Sequence, residues 1–153
     1  MLWMKIVLQV VKNASVKVDE KLVSSIEKGY LLLVSFTSGD NEAILEKMAQ
    51  KVSKLRVFLD ENGKTNLSIF DVGGSILSVS QFTLYANLKK GNRPSYIDAL
   101  KGEESSILYQ KFNDELRKCN LKVEEGIFGA DMKVELINDG PYTLVLDSHE
   151  LGF

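Results

Sequence analysis

Histidine, cysteine and proline are nearly missing from this chain: its 153 residues include one His, one Cys and two Pro. A structural zinc site draws on about four Cys or His ligands, so Cys119 and His149 cannot build one. A lone cysteine forms no internal disulfide, and that fits a reducing, cytoplasmic setting. Cys119 follows Arg117-Lys118 at an expected helix end and is read as structural. His149, between Ser148 and Glu150 near the C-terminus, is read as a surface residue rather than a general base. A histidine-driven nucleophilic triad is therefore not expected. Phosphate loops of the GxxxxGK[ST] or GxGxxG type are also missing, and Gly73-Gly74 is too short to replace one. No run approaches the roughly 18 apolar residues of a membrane-spanning helix. The start lacks the basic, apolar and small-residue segments of a signal peptide. An enzyme made from this chain would work without metal, nucleotide cofactor or imidazole relay.

What is present is an ordinary globular composition, 44% hydrophobic and 26% charged with net charge −2. This length supports one domain with a real core, taken here as 1–153, with residues 1–3 ahead of the second methionine, Met4, as a dispensable extension. Lys5 to Val18 clusters Ile6, Val7 and Leu8, then alternates Ala14, Val16 and Val18, the pattern of a long strand. Leu22 to Ile26 returns antiparallel, and Tyr30 to Phe36 reads as a buried central strand. Asp40 is the expected N-cap of a first helix whose stripe is Ile44, Leu45, Met48, Val52 and Leu55. Leu67-Ser68-Ile69 and Ser75 to Leu84 read as strands around the Gly73-Gly74 turn. A second helix is expected from Glu103 to Cys119, with Ile107, Leu108, Phe112 and Leu116 inward. Lys133 to Ile137 alternates, and Leu144 to Leu146 forms a last strand. The expected fold is α+β: a strand-rich, barrel-like antiparallel sheet with two amphipathic helices packed on it.

Three stretches could carry chemistry. Asn138-Asp139-Gly140-Pro141-Tyr142-Thr143 interrupts two apolar runs; alone it reads as a hairpin turn, since Asn, Asp, Gly and Pro all form turns. Ser78 to Tyr85 mixes polar and apolar residues on both faces of a strand, so Gln81 and Thr83 need partners in the protein or in a ligand. Lys89-Lys90-Gly91-Asn92-Arg93, followed by Pro94-Ser95-Tyr96, is either a solvated loop or a site where cations and an aromatic meet an RNA end. Overall acidity, pI about 5.5, argues against broad nucleic-acid coating but leaves room for a local patch.

Together these residues resemble the D-aminoacyl-tRNA deacylases, the chiral proofreading enzymes of translation. The family's S-Q-F-T-L and N-x-G-P-x-T signatures stand here as Ser80-Gln81-Phe82-Thr83-Leu84 and Asn138-Asp139-Gly140-Pro141-Tyr142-Thr143. The likeness extends through Gln9, Ala14-Ser15-Val16, Val18-Asp19, Gly91 to Tyr96, and Gly126-Ile127-Phe128-Gly129-Ala130-Asp131-Met132, covering about Met4 to Ser148. One departure stands out. The family usually reads Gln-Arg-Val where this chain has Gln9-Val10-Val11, and that arginine is understood to brace the Gly-Pro loop; Lys12 is one possible substitute.

The resemblance implies hydrolysis of the ester joining a D-amino acid to the terminal ribose of tRNA, with glycyl-tRNA as a second substrate. It implies a homodimer in which a cis Gly140-Pro141 loop enters the partner's active site and rejects L-amino acids by collision with its carbonyl oxygens. Asn138, Thr143, Met132 and Ala130 would help bind substrate, and Lys89, Lys90, Arg93 and Tyr96 would contact the tRNA. Ser80, Gln81, Phe82 and Thr83 would form the catalytic strand. Two routes stay open there: the Thr83 hydroxyl as nucleophile, or the tRNA's own 2′-OH assisted by the Phe82 and Thr83 backbone N–H groups. No cofactor or metal is implied. The alternatives are a non-catalytic module that binds the tRNA end on the same fold, and a relative tuned to glycyl-tRNA.

Overall fold

The computed structural model describes residues 3–153. Eight strands and two helices follow in the order β1 (Lys5–Val18), β2 (Lys21–Ile26), β3 (Gly29–Ser35), α1 (Glu42–Lys54), β4 (Phe58–Leu59), β5 (Thr65–Leu67), β6 (Ser75–Ser80), α2 (Gly102–Lys118), β7 (Lys122–Glu125) and β8 (Lys133–Asp147). Met1 and Leu2 of the expected extension lie outside the described residues. Trp3 stacks on His149, ring centroids 3.9 Å apart, and its carbonyl accepts a hydrogen bond from Tyr85 Oη.

The main sheet runs β2-β1-β3-β6-β7, with β8 also paired to β1. Ser24 Oγ on β2 donates to the Glu125 carbonyl on β7, so the two ends of the sheet nearly meet and the sheet forms a barrel-like wall. The antiparallel expectation holds for every partner of β1. It does not hold for β3–β6 and β6–β7, which are parallel. Parallel neighbours need long crossovers, and α1 and α2 lie in those two connections. Strands so placed are buried on both faces, which explains the unbroken apolar run of β3. Tyr30, Leu32, Val34 and Ile76 face the helices and pack with Leu45, Met48, Val52, Phe112 and Leu116. Leu31, Leu77 and Val79 point the other way and meet Val11, Val16 and Ile26.

Several local expectations are corrected. Asn41, not Asp40, caps α1: its Oδ1 accepts from the Ile44 N–H at 3.1 Å. Asp40 instead clamps the chain entry, accepting from Thr37 N–H (2.8 Å) and Met4 N–H (3.2 Å). On α2 the inward face is Tyr109, Phe112, Asn113 and Leu116, while Ile107 is half exposed. Ile69 sits in a turn after β5 rather than in a strand. The two expected C-terminal strands are one, β8, interrupted by an excursion. Gln9 pairs with Thr143 and Val11 with Asn138, so the four residues Asp139 to Tyr142 face Val10 alone.

Candidate active site

The strand expected from Ser75 to Leu84 ends at Ser80, and Phe82–Tyr85 forms a 3-10 turn. The reason is local. Gln81 N–H still donates to the Val34 carbonyl (2.8 Å), but beyond it β3 has ended and no ladder partner remains. The face assignments expected for Phe82 to Tyr85 from strand alternation therefore fail. The turn has a chemical consequence. Its first two N–H groups, those of Phe82 and Thr83, find no acceptor among the described residues. Orphan donors of this kind are the normal product of a helical start. Thr83 Oγ1 accepts from Gln81 Nε2 at 2.6 Å, so two of the three polar side chains of the signature engage each other.

β6 is held firmly where it delivers this turn. The Ser78 carbonyl accepts from Tyr109 Oη (2.7 Å) and from Gly126 N–H (3.0 Å), tying the strand to α2 and to the segment after β7. Burial drives the Tyr109 phenol pKa upward, so Tyr109 stays a neutral donor.

A cavity of about 490 Å³ opens beside the turn. Ser80, Gln81 and Phe82 form one side, and Phe128, Gly129, Ala130 and Met132 form the other. Leu100, Lys101 and Gly102 close a third side from the start of α2. Lys101 and Asp131 are the charged groups among the lining residues, and Asp131 is exposed and paired with Lys133 (3.2 Å). No lining side chain is a histidine or a cysteine. The residues at hand offer backbone donors and apolar walls rather than an acid–base pair. Among the described residues there is no cluster of three His, Cys, Asp or Glu side chains that could hold a metal.

The remaining candidate residues fall into three places. Tyr96 packs edge-on against Phe82, centroids 5.1 Å apart, at the cavity mouth. Lys89, Lys90 and Arg93 are exposed on the neighbouring loop, whose stem is closed by the Asn87–Ser95 bridge. Asn138, Gly140, Pro141 and Thr143 do not line this cavity. Gly140 and Pro141, joined by a cis peptide, belong to the β8 excursion, and Asn138 and Thr143 are the paired residues that flank it; Thr143 Oγ1 accepts from Gln9 Nε2 (3.5 Å). Gly140 has φ +135°, and a Cβ there would lie 2.9 Å from Tyr142 N, so only glycine fits this bend. A separate hollow of about 280 Å³ lies beneath the excursion, between Val10, Lys28, Phe58 and Tyr142. Lys12 is exposed and forms no ion pair among the described residues.

Sequence reasoning missed Leu100, Lys101 and Phe128 as wall residues. Lys101-Gly102 directly precedes the helical stripe of α2, and Phe128 lies within the stretch that carries Ala130 and Met132. Those were the available signals.

Comparison with known proteins covers nearly the whole chain. Residues 7–147 match the family model described as D-Tyr-tRNA(Tyr) deacylase. A protein of Lactobacillus delbrueckii subsp. bulgaricus named D-aminoacyl-tRNA deacylase is 57% identical over 144 residues, 94% of this chain and 99% of its own. One of Thermomicrobium roseum with the same name is 54% identical over 97% of this chain and 96% of its own. Among solved structures, one titled c-Myc DNA Unwinding Element Binding Protein superposes with a TM-score of 0.86 at 40% identity, covering 94% of this chain and 97% of that one. A probable eukaryotic D-amino acid tRNA deacylase shares the fold, with a TM-score of 0.83 at 17% identity, over 94% and 98% of the two chains.

Proposed function

Because this chain belongs to the D-Tyr-tRNA(Tyr) deacylase family, we propose that it hydrolyses the ester of D-aminoacyl-tRNA, releasing free tRNA and the D-amino acid. The observation that carries the mechanism is the pair of unengaged Phe82 and Thr83 N–H groups on a turn of which Phe82 lines a cavity with apolar walls and Thr83 stands next to it in the chain. Attack on the ester carbonyl places negative charge on its oxygen. Preorganised backbone donors in a dry site stabilise that charge, and removing one such donor costs about 10²–10³ in kcat in other hydrolases.

Thr83 is poorly set up as a nucleophile. Its hydroxyl is bonded to Gln81, and the one carboxylate lining the cavity, Asp131, is exposed and paired with Lys133 rather than with Thr83. The tRNA's 2′-OH, adjacent to the scissile ester, is the better candidate for positioning or activating water. In this reading Gln81 and Thr83 hold the turn in shape, and Ser80, Met132 and Ala130 shape the pocket for the terminal nucleoside and aminoacyl group.

The excursion of β8 supplies stereochemical selection in a homodimer. Gly140 and Pro141 are exposed, stand clear of their own cavity and lie off the β1 ladder, as a loop donated to a partner would. Exposed Ile137 and Val145 on the same strand offer apolar surface for that contact. The loop's carbonyl oxygens would collide with an L-side chain and leave a D-side chain, or glycine, free. Discrimination by collision suits an editing enzyme that must accept many side chains of one hand. Lys89, Lys90, Arg93 and Tyr96 would meet the acceptor strand, and the cytoplasm would be the site of action.

The test follows ester loss from D-tyrosyl-, L-tyrosyl- and glycyl-tRNA with purified protein. Turnover of the D and glycyl substrates with L spared is expected; no loss at stoichiometric protein would leave only a module that binds the tRNA end. Thr83→Ala should retain turnover, whereas a 2′-deoxy terminal ribose should abolish it. The reverse pattern would return the nucleophile to Thr83.

A further inference from the structure

We infer that Lys101 grips the phosphodiester on the 5′ side of the terminal nucleoside, which makes it the residue that distinguishes a polynucleotide ester from a bare nucleoside ester; this rests on the deacylase reading above. Lys101 lines the cavity, and its ammonium lies 5.2 Å from the Phe82 ring centroid and 5.6 Å from that of Tyr96. It is thus a cation held over two edge-to-face aromatic rings at the cavity mouth. The backbone around it is fixed. Leu100 N–H donates to the Phe36 carbonyl (3.0 Å), Ala99 N–H to the Tyr96 carbonyl (3.2 Å), and Thr37 Oγ1 to the Asp98 carbonyl (3.1 Å).

The charge on Lys101 is also available. Among the described residues it enters no salt bridge, while the carboxylate sharing its cavity, Asp131, is taken by Lys133. Glu103 and Glu104 follow on the first turn of α2 and are exposed, where water screens them. The cavity interior needs no cation. Its lining of Phe128, Met132 and Val79 suits the nucleoside, and in the reading above the Phe82 and Thr83 N–H groups meet the ester carbonyl. The group of the substrate that calls for a positive charge is the phosphodiester, one bond beyond the terminal ribose and so at the mouth, where Lys101 stands. Lys89, Lys90 and Arg93 are exposed on the loop that leads to Tyr96.

The experiment compares kcat/KM for D-tyrosyl-tRNA with that for D-tyrosyl-adenosine, which lacks the phosphodiester, in wild type, Lys101→Gln and Lys101→Arg. Lys101→Gln should lower the tRNA-to-adenosine ratio about fivefold and reduce the slope of log(kcat/KM) against log[salt] by about 0.7, the value for one phosphate contact on a single strand. Lys101→Arg should restore both. An unchanged ratio and slope in Lys101→Gln, or equal losses on both esters, would overturn the assignment. If the wild type hydrolysed neither ester, the deacylase reading itself would fall and take this one with it.

Discussion

Replacing Gly29 by alanine adds one methyl group and should cost more than the same change at any other glycine among the described residues. Gly29 opens β3, paired with Val11 of β1 on one side and with Ser75 of β6 on the other. A Cβ at this position would stand 1.7 Å from the Ser75 carbonyl oxygen, 2.7 Å from its nitrogen and 2.8 Å from its carbonyl carbon. All three are backbone atoms, so no side chain can rotate away. Real Cβ contacts stay beyond 3.0 Å, so β6 must retreat by roughly 1.3 Å, more than a quarter of the normal strand spacing of about 4.8 Å. That opens the β3–β6 ladder at its first rungs, and each buried peptide group left unpaired costs about 1–3 kcal/mol. Two such groups, with some overpacking, give a loss of about 4 kcal/mol, a large share of the ~5–15 kcal/mol that holds a domain together. Urea unfolding measures this directly, read as the midpoint at constant slope. Gly63→Ala serves as the comparison: it has the positive φ of +74° but nothing within 4 Å, so it should lose only about 1 kcal/mol from backbone strain. If Gly29→Ala unfolded within 1 kcal/mol of the wild type, the close approach of β3 and β6 would not be real. The argument that β6 is rigidly seated would fall with it.

Tyr109→Phe removes one of two donors to the Ser78 carbonyl; since Gly126 N–H remains, the loss should be only about 1 kcal/mol. A loss above about 3 kcal/mol in urea would mean that the carbonyl had been left unpaired. At Gly126, alanine would place a Cβ 2.5 Å from Met132 Sδ, a flexible neighbour that can yield only by moving the side chain lining the cavity. Stability should barely change while kcat/KM on D-tyrosyl-tRNA falls roughly tenfold, and equal activity would show that Met132 does not shape the site. Asp40 is pushed above its ordinary pKa, first by burial, with a smaller contribution from Asp147. Its folded form therefore binds a proton more readily than the unfolded chain does, and its contribution to stability grows as pH falls through the folded value towards the unfolded one. Relative to Asp40→Asn, the wild type should gain stability between neutrality and about pH 4; a wild type that lost stability relative to the variant on acidification would reverse the sign of the argument.

Period-based reading found what short-range pattern determines. β1 was legible over its whole length because its alternation is long, and both helices were legible within a residue or two. Where two adjacent residues compete for one role, composition could not choose. Asp40 and Asn41 both cap helices well, and the choice went to Asn41 because Asp40 is occupied by Thr37, three residues back, and by the distant Met4. Ile107 fits the helical stripe of α2 as well as Tyr109 does, but only Tyr109 has a carbonyl to reach. The change from strand to 3-10 turn at Phe82 depends on where β3 ends, 47 residues earlier at Ser35, and no local pattern encodes that. The same holds for the site. Ser80 to Phe82, Ala130 and Met132 were recognisable from their signatures, whereas Lys101 joins them only because α2 begins beside that turn.

The pairing of β1 with β8 also sets the order in which the molecule can come into being. Residues 5–17 find their partners at residues 133–147, so a loop of nearly the whole chain must close before that ladder exists. Closing a long loop adds little to the equilibrium cost but delays the reward, since distant pairings form late and slow folding to milliseconds or longer. During synthesis the first strand emerges early and can pair with β2 and β3 at once, while its remaining edge stays open until the end of the chain is released. An open edge invites pairing with another nascent chain. The last strand therefore acts as a seal, and the excursion it carries is placed only when everything else is already in position.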